Sequence, residues 1–313
     1  MTFYIIYSGR CEHLFDLYSN VDLPRRSSNS VKYLQLLFNH NFIYRWNPNS
    51  PQVIVHGNAN SIWGTNYLGS RPTKVIVHGW NSDGNSDINP LITSAFLAVQ
   101  DCNVIVVDWR SLANNPLYPI SAGGVPSVGE FLGNFLIWLF NTAGGNWNNV
   151  HLVGFSLGAH VVGNAGRTAG GRPMRVTGLD PAGPLWGGNN QALNTLSGQY
   201  VEAIHTDGGL LGIFDKIAHA DFYPNGGRNP QPGCWISTCS HSRAYELYAS
   251  TVRTNHLVGH ACSNTAQAEA GQCTGAALNM GNCLTTAHLM LSDGVVEDGK
   301  AHLAWNRTAS QVR

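Results

Sequence analysis

The clearest pattern along the chain is a series of short, wholly apolar runs separated by longer segments of mixed polarity. Val75-Ile76-Val77 and Val104-Ile105-Val106-Val107 are β-branched runs bounded by turn or polar residues, and Val150 to Val153 and Arg175 to Gly178 continue the series. Runs with no polar alternation predict strands buried on both faces, the condition of a parallel sheet. Between them, 126–141 and 157–168 have helical length. Strand and helix in repeated alternation predict an α/β fold with one predominantly parallel sheet, occupying 31–313 as a single domain. Residues 1–30 show no period and are expected to form an N-terminal extension. Beyond Leu193 glycines and cysteines become denser and the helical pattern fades, which predicts loop-rich insertions on the same domain.

Composition narrows this picture by exclusion. Of 313 residues only 12% are charged, with 18 basic residues balancing 18 acidic ones, and no basic block suggests a nucleic-acid partner. No stretch reaches the roughly 18 apolar residues of a membrane span. The N-terminus holds a short apolar run with no basic residue ahead of it, so no signal-peptide core is visible. Seven cysteines (Cys11, Cys102, Cys234, Cys239, Cys262, Cys273, Cys283) include no CxxC pair, which argues against a zinc or thioredoxin-like site. Their odd number leaves at least one thiol over. Asn306-Arg307-Thr308 is a glycosylation sequon.

Candidate chemistry begins where the run 150–153 meets Gly154-Phe155-Ser156-Leu157-Gly158 and the helical segment Ala159-His160-Val161-Val162. A serine on a sharp strand-to-helix turn is held in a strained backbone with its hydroxyl clear of the sheet, and flanking glycines avoid clashes. The Leu157 amide would lie at a helix N-terminus, where its N–H and the helix dipole can stabilise an oxyanion. A second oxyanion donor is expected from the strand ending in His78-Gly79-Trp80, and is assigned to the Trp80 amide. An acid should follow the serine at the end of a later strand, where Asp180-Pro181 stands. Asp108 precedes the serine and is expected to pair with Arg110. The base must be a histidine beyond Asp180. His205, His219, His241, His256, His260, His288 and His302 all qualify, and spacing alone does not choose. His205, inside an apolar run, reads as a satisfied core histidine, whereas a cysteine-bounded loop could hold His241.

Together these motifs resemble the pancreatic lipase family. The similar blocks are VIVHGW (75–80), VIVVDWR (104–110), HLVGFSLGAHVVG (151–163), GLDPAGP (178–184), IHTD (204–207), HADFYPNGG (219–227), PGC (232–234) and CSHSRAYELY (239–248), in the family's order. The resemblance implies an α/β-hydrolase fold and a triad of Ser156, Asp180 and His241, with the Trp80 and Leu157 amides as oxyanion hole. It also implies a lid of Cys234, Trp235, Ile236 and Cys239 closed by a Cys234–Cys239 bridge, a Cys262–Cys273 bridge, and Cys11–Cys102 as the third. Cys283 is left unpaired. Phe155 stands where the family often has histidine, a position without chemistry. No β-sandwich domain is expected after residue 313, nor a colipase partner. The segment 187–191 offers no carboxylate, so no calcium or other metal is expected, and no cofactor. The expected protein is a secreted, monomeric hydrolase of lipid esters at a membrane or micelle interface. Its short lid and short 205–219 segment are similar to the phospholipase A1 branch. A triacylglycerol lipase, a soluble carboxylesterase and an inactive lipid-binding or storage relative are the alternatives.

Overall fold

The computed structural model describes residues 52–280, together with the backbone of 41–45 and 301–305. The strands are β1 (Asn41–Arg45), β2 (Gln52–Ile54), β3 (Thr73–Val77), β4 (Asn103–Asp108), β5 (Val150–Phe155), β6 (Arg175–Leu179), β7 (Tyr200–Ile204), β8 (Ala220–Pro224), β9 (Leu257–Cys262), β10 (Ala277–Met280) and β11 (Ala301–Trp305). The helices are α1 (Ala59–Trp63), α2 (Ile88–Val99), α3 (Arg110–Ala113), α4 (Tyr118–Ala143), α5 (Leu157–Thr168), α6 (Ser237–Thr254) and α7 (Thr265–Glu269). The strands form one sheet in the order β10-β9-β11-β8-β7-β6-β5-β3-β4-β1-β2. From β4 through β11 neighbouring strands run parallel, and antiparallel pairs occur toward both edges. The four predicted apolar runs are β3, β4, β5 and β6, and every residue in them is buried. Alternate side chains enter opposite faces. Val75, Val77, Ile105, Val107 and Leu152 pack with Phe135, Leu139, Val161 and Val162 from α4 and α5. Ile76, Val104, Val106 and Val153 pack on the other face with Ile92 and Phe96 of α2 and Leu247, Tyr248 and Val252 of α6.

Helix α5 falls where the sequence predicts it; two other helices do not. The segment predicted to begin at Pro126 is part of α4, which starts eight residues earlier and carries Pro126 inside. Proline removes a helical N–H bond, so local reading places a helix start there. Burial of twelve α4 residues, among them Val125, Phe131, Phe135 and Leu139, carries the helix through. Glycines on its inner face bring the backbones of α4 and α5 together. A Cβ at Gly129 would lie 2.4 Å from Asn164 Cβ, and one at Gly133 2.6 Å from Thr168 Cβ. The second departure is α6, an 18-residue helix in the region expected to be loop-rich. Its buried Ala244, Leu247, Tyr248, Thr251 and Val252 recur every three to four residues, an amphipathic period hidden by surrounding cysteines and glycines.

Disulfides join Cys234 to Cys239 and Cys262 to Cys273. The expected Cys11–Cys102 bridge involves Cys11, which lies outside the described residues. Cys102 is a free thiol, buried beside Ile76, Phe96 and Val104 at the start of β4, and burial pushes its pKa up to about 11. Cys11, Cys283, the sequon asparagine and the N-terminal extension lie outside the described residues.

Chain order makes the sheet reverse direction between β3 and β5: the chain leaves β3 for β4 on one side, then returns to β5 on the other. Crevices form at the carboxyl ends of strands at such a switch point. Gly79 and Ser156 lie there.

Candidate active site

Strand β5 runs into Ser156, whose backbone is held at φ 56°, ψ −122°. That left-handed conformation is strained for a residue with a Cβ, and it persists because the surroundings fix it. The Ser156 N–H donates to Leu179 O at 3.0 Å, while its carbonyl accepts from Ala159 N at 3.1 Å and Ala182 N at 3.2 Å. The flanking glycines permit the bend. A Cβ on Gly154 would sit 2.1 Å from Gly158 O, and one on Gly158 would sit 2.3 Å from Val77 O. Both obstacles are main chain and cannot step aside. Gly154→Ala is therefore expected to destabilise the fold by about 3 kcal/mol, read as a lower urea midpoint at unchanged slope. A midpoint equal to wild type would show that the turn tolerates a methyl group.

Leu157 is the first residue of α5, so its N–H is among the four without an intrahelical acceptor. The loop after β3 passes close to the serine at Gly79, where a Cβ would approach Ser156 Cβ to 2.9 Å. Trp80 follows, with its indole N–H donating to Asn115 O at 2.9 Å and its ring edge-on to Tyr118. This loop is pinned from β4: the Trp109 backbone N–H donates to His78 Nε2 at 3.2 Å, its indole N–H donates to His78 O at 2.8 Å, and Asn81 N donates to Ala113 O. Asp108 pairs with Arg110 as expected, Nε to Oδ2 at 2.8 Å. Burial pushes its carboxyl up, but the neighbouring His78 ring and the side-chain and backbone bonds from Arg110 outweigh this and hold it well below the carboxylate range.

Asp180 follows β6 and is fully buried. Its Oδ1 accepts from Thr206 N at 2.7 Å and Asp207 N at 3.0 Å, and its Oδ2 lies 2.5 Å from His241 Nδ1. An ionised carboxylate only accepts, so Nδ1 is the donor and Nε2 is the ring nitrogen left for other work. The sequence suggested a loop-borne imidazole; instead His241 sits in the second turn of α6, and the Cys234–Cys239 bridge clamps the first. Ser237 there donates through its hydroxyl to Asp207 Oδ2. Phe155, the residue before the serine, packs its ring against the imidazole with centroids 4.5 Å apart. The structure thus joins Asp180 to His241 directly, and main-chain bonds between Ser156 and both Leu179 and Ala182 set the serine turn beside the Asp180 segment. Among the described residues Ser156 Oγ forms no hydrogen bond with His241. Such bonds are often long or misaligned before substrate binds. His205 is a fully buried core histidine, as expected.

Sequence reasoning gave no role to Asp207. Its main-chain N–H binds Asp180, while its carboxylate holds both Ser237 and Leu211 N, and burial raises its pKa. The IHTD block was the available signal. In the loop closed by the Cys234–Cys239 bridge, Trp235 is 93% and Ile236 63% exposed.

A predominantly parallel sheet, with a serine on the turn after β5 and a carboxylate at the end of β6 paired to a histidine of a later helix, defines an α/β hydrolase. The chain belongs to the Lipase family, the pancreatic lipase family, whose model matches residues 22–292. It is 38% identical over 243 residues to lipase member H-A of Xenopus laevis, covering 74% of this chain and 52% of that relative. It is 32% identical over 255 residues to pancreatic triacylglycerol lipase of Oryctolagus cuniculus, covering 72% and 54%. The chain thus spans about half the length of the curated relatives it matches. The crystal structure of esterase PE8 overlaps 46% of this chain and 73% of that one, with a TM-score of 0.35 and 15% identity.

Proposed function

We propose that this chain is a serine hydrolase of lipid carboxylic esters, with phospholipids cleaved in the manner of a phospholipase A1. The hydrogen bond from His241 Nδ1 to Asp180 Oδ2 beside the Ser156 turn carries this reading. Ser156 Oγ attacks the ester carbonyl while His241 Nε2 takes its proton, and Asp180 holds the imidazolium that forms. The oxyanion is met by the Leu157 and Trp80 N–H groups. Collapse of the tetrahedral intermediate breaks the C–O bond, and His241 returns the proton to the leaving alcohol. Water, deprotonated by His241, then attacks the acyl-enzyme and releases a fatty acid and free Ser156.

The lid supports the phospholipid preference. Four residues between Cys234 and Cys239 cannot span a cleft, because their ends are tied with Cα atoms 5.4 Å apart. A low, open rim favours a substrate presented with its head group in a surface. Exposed Leu117, Leu185, Leu210, Trp235 and Ile236 fall on segments at this end of the sheet and suit a membrane or micelle interface. The two disulfides suit a secreted, extracellular protein. No metal, colipase or other protein partner is required by the mechanism. The name of one relative, pancreatic triacylglycerol lipase, favours triacylglycerol as the second reading. An inactive lipid-binding relative is disfavoured because all three triad positions are filled.

Purified protein treated with a fluorophosphonate probe is expected to be labelled at Ser156, and to hydrolyse phosphatidylcholine vesicles faster than emulsified triolein. Absence of labelling would remove the hydrolase reading. Labelling with faster triolein cleavage would leave the hydrolase and remove the phospholipid preference.

A further inference from the structure

His205 lies at the end of β7, fully buried, with both ring nitrogens facing acceptors. Nδ1 is 2.7 Å from Ile213 O and Nε2 is 2.9 Å from Asp221 Oδ1. A neutral imidazole has one N–H and one lone pair, so in either tautomer it would set a lone pair against an oxygen. Both contacts are satisfied only when both nitrogens carry protons. Asp221 is built as the counter-ion: Oδ1 also accepts from Ile217 N at 3.0 Å, and Oδ2 accepts from Ala218 N at 3.1 Å.

The segment held by this pair forms a wall of the site. Ile213 N donates to Pro181 O at 2.8 Å and Gly183 N to Leu211 O at 2.7 Å. Gly212 closes over Asp180 so tightly that a Cβ there would lie 2.5 Å from Asp180 Oδ1. Without this wall, water would reach a carboxylate that must stay buried and oriented toward His241.

We propose that His205 is a positioning residue charged at neutral pH: an imidazolium locked between Ile213 O and Asp221 that holds residues 208–218 over the Asp180 carboxylate. The proposal rests on the hydrolase reading for its effect on catalysis, but not for the charge itself. The groups facing the ring are Asp221 and Tyr223 of β8, the latter stacked at 4.7 Å, and Asp180 after β6; the 208–218 segment contributes the Ile213 carbonyl, and its Asp215 acts on the stacked Tyr223. Burial alone would strip the proton, but the bond and charge of Asp221, the Ile213 carbonyl and the Asp180 charge outweigh it and raise the pKa. The sign follows: the folded state holds this proton more tightly than the unfolded chain. The resulting stability is therefore full below the ordinary histidine range and is lost as pH rises through the folded-state value.

The test is NMR of the full chain with 15N-labelled imidazoles, followed between about pH 6 and 9. His205 is assigned by its loss in His205→Gln, or by its contact with the Tyr223 ring if that variant does not fold. We expect one ring to keep two N–H protons at pH values where an ordinary solvent-exposed imidazole is neutral. Asp221→Asn removes the counter-charge, and the alkaline limb of its kcat/KM profile should move down by about 1 pH unit or more. A purely space-filling role would leave that limb in place. The proposal is overturned if His205 carries one N–H near neutral pH, or if folded Asp221→Asn keeps the wild-type alkaline limb. A doubly protonated ring in a wild-type chain without turnover would instead overturn the hydrolase reading, and with it the positioning role.

Discussion

Ser156→Ala is expected to lower kcat by about 10⁶-fold while leaving the fold and its thermal midpoint nearly unchanged. The substitution deletes one oxygen and keeps the Cβ. The contacts that set the turn are main chain: Ser156 N to Leu179 O, and Ala159 and Ala182 N to Ser156 O. On the proposed mechanism a residual acceleration of about 10³–10⁴ over water remains, from oxyanion donors and substrate binding. A variant retaining more than about one hundredth of wild-type turnover would mean that the nucleophile lies elsewhere. Turnover and a melting curve from the same preparation separate loss of chemistry from loss of structure.

Asp180→Asn should cost about 10⁴-fold in kcat, with a smaller effect on stability. The hydrogen-bond pattern dictates the reason. Oδ1 takes two backbone N–H groups, from Thr206 and Asp207, so the asparagine oxygen stays there and its NH₂ faces His241. Two donors cannot share that line, so Nδ1 must become the acceptor and the proton moves to Nε2. The ring then presents a proton where the serine needs a base. Steady-state kinetics should show the loss in kcat with KM little altered. A drop confined to KM would indicate a binding role for Asp180.

The parts legible from sequence were those whose cause is local. Strands β3 to β6 are buried on both faces, so their residues read as largely apolar, β-branched runs without polar alternation. The Ser156 turn was legible because glycine and strain leave a mark within five residues. Asp180 could be read from its place after a strand and before proline. His241 could not be chosen from the bare spacing of seven histidines. It lies 61 residues from its partner, and only the family blocks pointed to it. Helix α4 was cut short because Pro126 speaks locally while the packing that overrules it is remote. Cys102 sits as a buried thiol in the packed layer beside Phe96, and its expected partner Cys11 lies outside the described residues. Asp207 went unnoticed because it acts through its main-chain N–H as well as its carboxylate, and backbone donors have no sequence signature.

The glycines of α4 have a practical consequence for anyone wishing to harden this protein. By intrinsic propensity, Gly129 and Gly133 are weak points, and alanine would gain about 1 kcal/mol at each in an isolated helix. Here they are the notches into which α5 settles, the same helix whose first residue adjoins Ser156. Filling them would wedge the two helices apart and move the floor beneath the serine. Thermostabilisation by helix-favouring substitution belongs on the outer face of α4.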